Sequence, residues 1–308
     1  MFEQELYLLA TNYTLGEQQG HYSDLREFPA LLEKSNMENN PELWGWGGYH
    51  ASSRTYLELA ATAAKRTLEQ SRCAPAEVDA LYLCGSAFPN DFVAQNVGLG
   101  SLLSGLGLVN AVPRAVQGAG CASLLSGLIC ALQALRSGAC RNILMVGVDV
   151  FGADAARFYE FCLLSDSACS FLISSTHPGA YRFLDAQLIS DPELMANTAG
   201  NSFSRQSQLH ARSMARLTAS SSVKVEQISR LFASNLFLPI QRMYAAVAGY
   251  RKKQLYTDNV ARIGHCSSAD SIINLTDHAG KQPPGRGEYF MLQSSAHGHV
   301  ANVLLQAQ

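Results

Sequence analysis

The sequence predicts an α/β fold built on a duplicated core, and three observations predict it. Apolar runs of strand length alternate with stretches of helical period along most of the chain. Ala122 to Arg136 is a helical pattern held between two strand patterns, PRAVQG at 113–118 and NILMVGVDV at 142–150, which reads as a βαβ unit. The stretch AVQGAGCASLLSGL at 115–128 is echoed by ARIGHCSSADSIINL at 261–275, with Gly120-Cys121-Ala122-Ser123 over His265-Cys266-Ser267-Ser268. The echo reads either as a duplication, with two helix N-termini meeting at a shared centre, or as chance between two small-residue turns. A chain of 308 residues suits one large domain or two halves of about 150 residues each.

The elements follow in order. The first 50 residues are mixed and aromatic, with the Trp/Gly knot LWGWGGYH at 43–50. Ser53 is placed to cap a helix running to about Ser71, with Tyr56, Leu57, Leu59, Ala60, Ala63, Ala64 and Leu68 as its stripe. ALYLCG at 80–85 reads as a buried strand, and AQNVGLGSLLSGLGL at 94–108 as a small-residue helix. Within 122–136, Leu124, Leu125, Leu128, Ile129, Leu132 and Leu135 fit the helical period, and SGA at 137–139 supplies the glycine stop. NILMVGVDV is nearly continuous in apolar residues, as a strand covered on both faces would be. SACSFLIS at 167–174 and YRFLDAQLIS at 181–190 read as a pair of strands. Residues 191–225 are polar without a strong period, and read as a surface helix or lid. Then come a strand (ISRLFAS, 228–234), a helix over about 237–249, a strand (ARIGH, 261–265) and a helix (SSADSIINL, 267–275). EYFMLQSS at 288–295 and HVANVLLQ at 299–306 close the chain as a hairpin around Ala296, His297 and Gly298.

Composition excludes several classes. Hydrophobic residues at 47% and charged residues at 16% supply a core and exclude a disordered chain. A net charge of −2 offers no basic surface for nucleic acid. No apolar run approaches the roughly 18 residues of a membrane span, and the N-terminus lacks the basic and apolar regions of a secretory signal. A cytoplasmic protein is the expectation. The eight cysteines form no CxxC pair, so no metal site is expected; most sit in apolar strings, as small buried hydrophobes in a reducing compartment.

Cys121 is the residue whose setting suggests chemistry. It follows Gly118, Ala119 and Gly120 at a strand-to-helix turn, where small neighbours let a substrate approach the backbone. At the first turn of a helix, free N–H groups and the positive dipole end stabilise a thiolate and can hold a developing oxyanion. Two readings fit: a nucleophile for covalent acyl chemistry, or a buried cysteine in a tight turn.

The segment QGAGCASLLSGLICALQALRSGACRNILMVGVDV resembles the nucleophile region of β-ketoacyl-ACP synthase III, of the thiolase superfamily. The likeness includes Ser137-Gly138-Ala139 and Val146-Gly147-Val148-Asp149. ELWGWGGYHASSR at 42–54 resembles the family's Trp-containing segment, and GSAFPND at 85–91 its loop before the dimer-interface helix. LSDSACSFLIS at 164–174 resembles the "GDGAGAAVL" strand, with Asp166 in the aspartate position. The resemblance implies a thiolase-like duplicated βαβ core, five-layered αβαβα. Its halves would be residues 1–175, carrying Cys121, and 176–308, carrying His265. It implies a homodimer, or a heterodimer with a related synthase. No cofactor is implied beyond the substrates, acyl-CoA or a phosphopantetheinyl acyl carrier protein.

The departures bear on mechanism. The family completes its triad with a histidine in "P-H-Q-A-N" and an asparagine in "H-G-N-T-S-A-A-S". The matching stretches, FASNLFLPIQRMYAAVAG at 232–249 and IGHCSSADS at 263–271, put Ser234 (Asn235 beside it) in the histidine position and His265 in the asparagine position. The triad is thus expected as Cys121, His265 and Ser234 or Asn235. The backbone N–H groups of Cys121 and of a residue near Gly298 are expected to form the oxyanion hole. His297 and His299 flank Gly298 and, with Phe88, are possible site-lining residues, the histidines equally readable as surface-turn residues. Cys266, beside His265, reads as a second thiol or as a buried structural cysteine. Arg251, Lys252 and Lys253 read as a carrier- or CoA-docking cluster or as a solvated turn.

A decarboxylative condensation needs two donors for the malonyl oxygen, whereas a neutral His265 can act instead as a general base. The leading expectation is therefore an acyl-transferring condensing enzyme of the synthase III type, which holds the acyl group on Cys121 and passes it to a carbon, oxygen or nitrogen nucleophile, in specialised metabolism. The alternatives are a non-catalytic partner subunit, favoured by the missing histidine at 234, and an acyl thioesterase.

Overall fold

The computed structural model describes residues 5–89, 91–152, 156–196 and 202–308. Asn90 of GSAFPND and residues 197–201 of the polar stretch lie outside the described residues.

The N-terminal region supplies three strands, β1 (Tyr7–Leu15), β2 (Gln18–His21) and β3 (Gly48–Ala51), and two short helices, α1 (Phe28–Lys34) and α2 (Pro41–Trp44). Helix α3 (Tyr56–Gln70) starts at Thr55, not Ser53. The Thr55 hydroxyl accepts the Glu58 N–H while the Glu58 carboxylate accepts the Thr55 N–H, a reciprocal cap. Then follow β4 (Ala80–Cys84), α4 (Phe92–Gly105), β5 (Val112–Val116), α5 (Ser123–Arg136), β6 (Asn142–Asp149), β7 (Ser167–Ser174) and β8 (Tyr181–Ser190). The polar stretch holds α6 (Pro192–Ala196) and the long α7 (Ser202–Ser221). The chain ends through β9 (Ile228–Phe232), α8 (Leu238–Val247), α9 (Val260–Ile263), α10 (Asp270–Lys281), β10 (Tyr289–Ala296) and β11 (His299–Ala307).

Two readings are corrected. ARIGH is mostly the short helix α9, and only its last residue, His265, bridges to Leu164. The strands β7 and β8 do not pair with each other, because β1 inserts between them.

Nine of the eleven strands described form one sheet in the order β5-β4-β6-β7-β1-β8-β11-β10-β9, and β2 pairs with β3 in a second. From β4 to β1 the neighbours run parallel, antiparallel, antiparallel, and from β9 to β8 they repeat that sequence. The counterpart of β5 shrinks to one parallel bridge, Leu231 with Leu255. Within the sheet, two β1–β8 residue pairs join the halves among the described residues.

The sheet halves enclose α5 and α10. One apolar cluster joins Leu124, Leu125 and Leu128 of α5 and Ile272 and Ile273 of α10 to both Met145 and Phe171 of the first half and Phe290 and Val303 of the second. On the outer face of the first half, α3 packs Leu59 and Ala63 on Leu81, Val146 and Leu172. On the outer face of the second, α7 and α8 pack Met214, Leu217 and Ala245 on Leu231, Met291 and Leu304. The result is the five-layered αβαβα arrangement. Gly127 makes the central contact possible: a Cβ there would lie 2.5 Å from Cys84 Sγ.

Candidate active site

The two central helices begin at the same place, where their opening 3₁₀ turns, Gly120–Ala122 and Ser267–Ala269, pack together. Each turn is entered through a left-handed residue, Gly120 (φ 51°) and Ser267 (φ 51°). Gly120 therefore lies over Ser267, two residues later than in the sequence echo, which set it over His265.

Cys121 is half-buried in the first turn. The amides of Gly120 and Cys121 lie ahead of the first turn bond, from Ala122 N–H to the Ala119 carbonyl at 3.0 Å. Cys121 Sγ lies 3.3 Å from His265 Nε2 and 3.5 Å from the Ser267 hydroxyl, which is oriented to donate.

His265 is 1% exposed and tied into the chain at both backbone groups. Its N–H donates to the Leu163 carbonyl, and its own carbonyl accepts from Ser165 N–H. Its Nδ1 is 2.5 Å from Asp270 Oδ2. Asp270 is fully buried at the first position of α10 and accepts backbone N–H groups from Asn235 (2.6 Å) and Cys266 (2.7 Å). Burial alone would pull the His265 pKa down, but its interactions with Asp270 and Cys121 outweigh it and hold the imidazole well above its ordinary value.

The geometry thus joins Cys121, His265 and Asp270, and Asp270 is the residue the sequence reading missed. A signal was present: in the stretch matched to "H-G-N-T-S-A-A-S", Asp270 replaces the last serine, and an acid there faces back toward the position of His265. Ser234 is buried with its hydroxyl accepting the Ser295 N–H at 3.2 Å. The Asn235 side chain donates to the Gly264 carbonyl and accepts from Asn274. Ser234 and Asn235 thus brace the surroundings, Asn235 through the amide it gives Asp270.

The other candidates are placed as follows. The Gly298 N–H donates to Gln206 Oε1 at 3.0 Å, and it is Ala296, at the other end of the hairpin turn, that lies against Gly120. His297 is exposed at the hairpin tip; His299 is buried with Nδ1 2.8 Å from the Ser190 hydroxyl. Phe88 packs near Tyr56, ring centroids 5.7 Å apart, and its N–H donates to Gln117. Cys266 is fully buried, its thiol pushed well up by burial, and Cys162 is likewise pushed up to about 12.

Two acids at strand ends hold the frame. Asp149 accepts Ser86 N–H through one oxygen and both the N–H and hydroxyl of Ser268 through the other. Asp166 pairs with buried Arg157 at 3.0 Å and accepts the amides of Ser52 and Phe151.

Residues 117–192 match the model of the family 3-oxoacyl-[acyl-carrier-protein] synthase III. Over 131 residues the chain is 32% identical to a β-ketoacyl-[acyl-carrier-protein] synthase III of Microcystis aeruginosa, a match that spans 40% of this chain and 38% of that synthase. Among solved structures, ChlB3, described as an acyltransferase, superposes with a TM-score of 0.82 at 18% identity, covering 98% of each chain. An OleA variant from Xanthomonas campestris with bound lauric acid and lauroyl-CoA superposes with a TM-score of 0.83 at 11% identity, over 99% of this chain and 100% of that one. The synthase III of Aquifex aeolicus superposes with a TM-score of 0.78 at 16% identity, over 98% and 99%. Among the described residues no helix is long and apolar enough to cross a membrane. Fold, family match and relative agree in their likeness: residues 117–192 resemble β-ketoacyl-ACP synthase III, and the whole chain has the fold of these solved structures.

Proposed function

We propose that this protein is an acyltransferase that carries its acyl group as a thioester on Cys121 and passes it to an oxygen or nitrogen nucleophile. The observation that carries the reading is the chain Cys121 Sγ, His265 Nε2 and His265 Nδ1, Asp270 Oδ2, at 3.3 and 2.5 Å. A buried imidazole held well above its ordinary pKa between Asp270 and Cys121 fits transfer of a proton from the thiol to Nε2.

The thiolate attacks the carbonyl carbon of an acyl-CoA or acyl-carrier thioester. The negative oxygen forms beside the amides that open the Gly120–Ala122 turn, with the Cys121 N–H as the donor. The departing pantetheine sulfur takes the proton from His265, which leaves acyl-Cys121 and a neutral imidazole. Asp270 holds the Nδ1 proton in place, so Nε2 is the basic nitrogen. Nε2 then takes the proton of the acceptor O–H or N–H as that atom attacks, and the Cys121 thiolate leaves. A carbon acceptor made by decarboxylation would need two donors on the malonyl oxygen. A neutral Nε2 accepts rather than donates, and this favours heteroatom acceptors, in a specialised pathway. Assembly belongs to the same reading: a second copy, or a related synthase, pairs along the open β5 edge.

Intact-protein mass spectrometry after incubation with acyl-CoA and acyl-carrier donors tests the proposal. A mass gain that is lost in Cys121→Ser and released by hydroxylamine is expected, with an alcohol or amine acceptor discharging it faster than water. Discharge to water alone would mean a thioesterase. No loading of folded protein by any donor would overturn the reading in favour of a non-catalytic partner subunit.

A further inference from the structure

The residue that deepens this reading is Ser267. Three non-glycine residues among those described have positive φ: Asn36, Ser222 and Ser267. The first two are exposed, whereas Ser267 is 1% exposed. A left-handed serine in a buried turn is strained and persists only where its surroundings impose it. Here they do, since Asp149 holds the next residue, Ser268, by both N–H and hydroxyl. The same carboxylate holds Ser86 by its N–H at 2.7 Å. Between the two anchored loops, the Ser86 and Ser267 hydroxyls lie 2.6 Å apart, and Ser267 Oγ lies 3.5 Å from Cys121 Sγ.

We propose that Ser267 is a catalytic residue that donates its hydroxyl proton to the Cys121 sulfur, and that Ser86 positions it by donating to the Ser267 oxygen. The direction follows from proton counting. Ser267 has one hydroxyl proton; if that proton points at sulfur, Ser86 must supply the proton shared by the two hydroxyls. The sulfur then has two donors, the imidazolium of His265 and the hydroxyl of Ser267. Both act when sulfur is negative: in the resting enzyme and in the second half-reaction. There the acceptor gives its proton to His265, the carbon–sulfur bond breaks, and the electron pair returns to Cys121.

The inference rests on Cys121 as the acyl carrier, but its test needs no acyl donor. Iodoacetamide alkylation of Cys121, followed site by site by peptide mass spectrometry because Cys130 is also exposed, is measured against pH. Ser267→Ala and Ser267→Gly are expected to move the profile up by about one pH unit, roughly a ten-fold slower reaction at a fixed pH below the midpoint. Ser86→Ala is expected to move it the same way by less. Glycine takes positive φ without strain, so Ser267→Gly keeps the turn while losing the hydroxyl, and a shift there is not unfolding. An unchanged profile in Ser267→Gly, with circular dichroism and Tm intact, would overturn the proposal. Absent acyl loading with the alkylation shift present would instead sink the acyltransferase reading alone.

Discussion

At the scale of single residues, the site turns on one substitution pattern. Moving a histidine to the position opposite Cys121 creates a base only if something fixes its second nitrogen, and Asp270 does so at 2.5 Å. Asp270→Asn removes the charge and frees the ring to take the other tautomer, so acyl transfer is expected to fall by about 10²–10⁴, as for other orienting acids. The stability consequence has a definite sign. The folded His265 pKa is raised above its unfolded value, so the imidazolium contributes stability that is complete below about pH 6.5 and is lost as pH rises through the elevated value. Thermal melts should therefore show the gap between wild type and Asp270→Asn widest near pH 6 and narrowing at alkaline pH; a gap that grows with pH would contradict this assignment. The proximity of Cys121 and His265 was legible because Cys121 sits at a helix-opening turn and the resemblance put His265 in the asparagine position. Asp270 was not, because an acid at a helix start ordinarily reads as a complement to the helix dipole.

At the scale of elements, legibility followed burial. The strands β6, β7 and β8 read almost residue for residue, because β6 and β7 are buried throughout and made mostly of apolar and small residues. Helix α7 did not, since its buried face includes Gln206, His210, Ser213 and Ser221 beside Leu209, Met214 and Leu217, and polar residues hide the period. Strand β1 escaped for a related reason: YLLATNYTL is mostly half-buried and carries little contrast between faces. The pairing of β7 with β8 failed because chain order favours neighbours, while here the N-terminal strand β1 inserts between them. What holds these elements in register near the site is the Arg157–Asp166 pair, 2% and 0% exposed, which joins the start of β7 to the chain after β3 and after β6. Asp166→Ala leaves Arg157 buried and unpaired, and should cost about 3–5 kcal/mol in urea unfolding. Removing both charges, as Arg157→Met with Asp166→Leu, should recover part of that loss. If the double variant were the less stable, the guanidinium's bonds to the His50, Gly152 and Leu164 carbonyls would carry more than the ion pair does.

At the scale of the molecule, the duplication explains both the site and the surface. The echo in the sequence was real in position and two residues off in register, because it was set by the shared cysteines rather than by the left-handed residues at Gly120 and Ser267. Two half-sheets repeat one pattern, but their outer edges differ. The β9 edge is covered by the Leu231–Leu255 bridge, whereas β5 ends the sheet with four of its five residues exposed. Val112 N–H goes to Asp79 and the Val116 carbonyl takes Gly85 N–H, so these groups face β4, and Pro113 and Ala115 face outward. Pro113 offers no donor there, so a partner strand would find few backbone bonds, and apolar contact must supply most of the affinity. Val109 and Val112, just before β5 and on it, are 77% and 57% exposed, and Val93 and Val97 on the preceding helix α4 are 69% and 66% exposed. Isolated exposed valines are ordinary, but exposed valines on and just before an open edge strand fit an interface. Light scattering should give the wild type twice the 33.3 kDa chain mass, and Val97→Glu with Val112→Glu should return it to 33.3 kDa with its circular dichroism unchanged. A wild type that stays at the single-chain mass at micromolar concentration, yet doubles on adding a related synthase, would place the interface in a heterodimer. Single-chain mass under both conditions would leave the open edge without a partner and sink the proposed assembly.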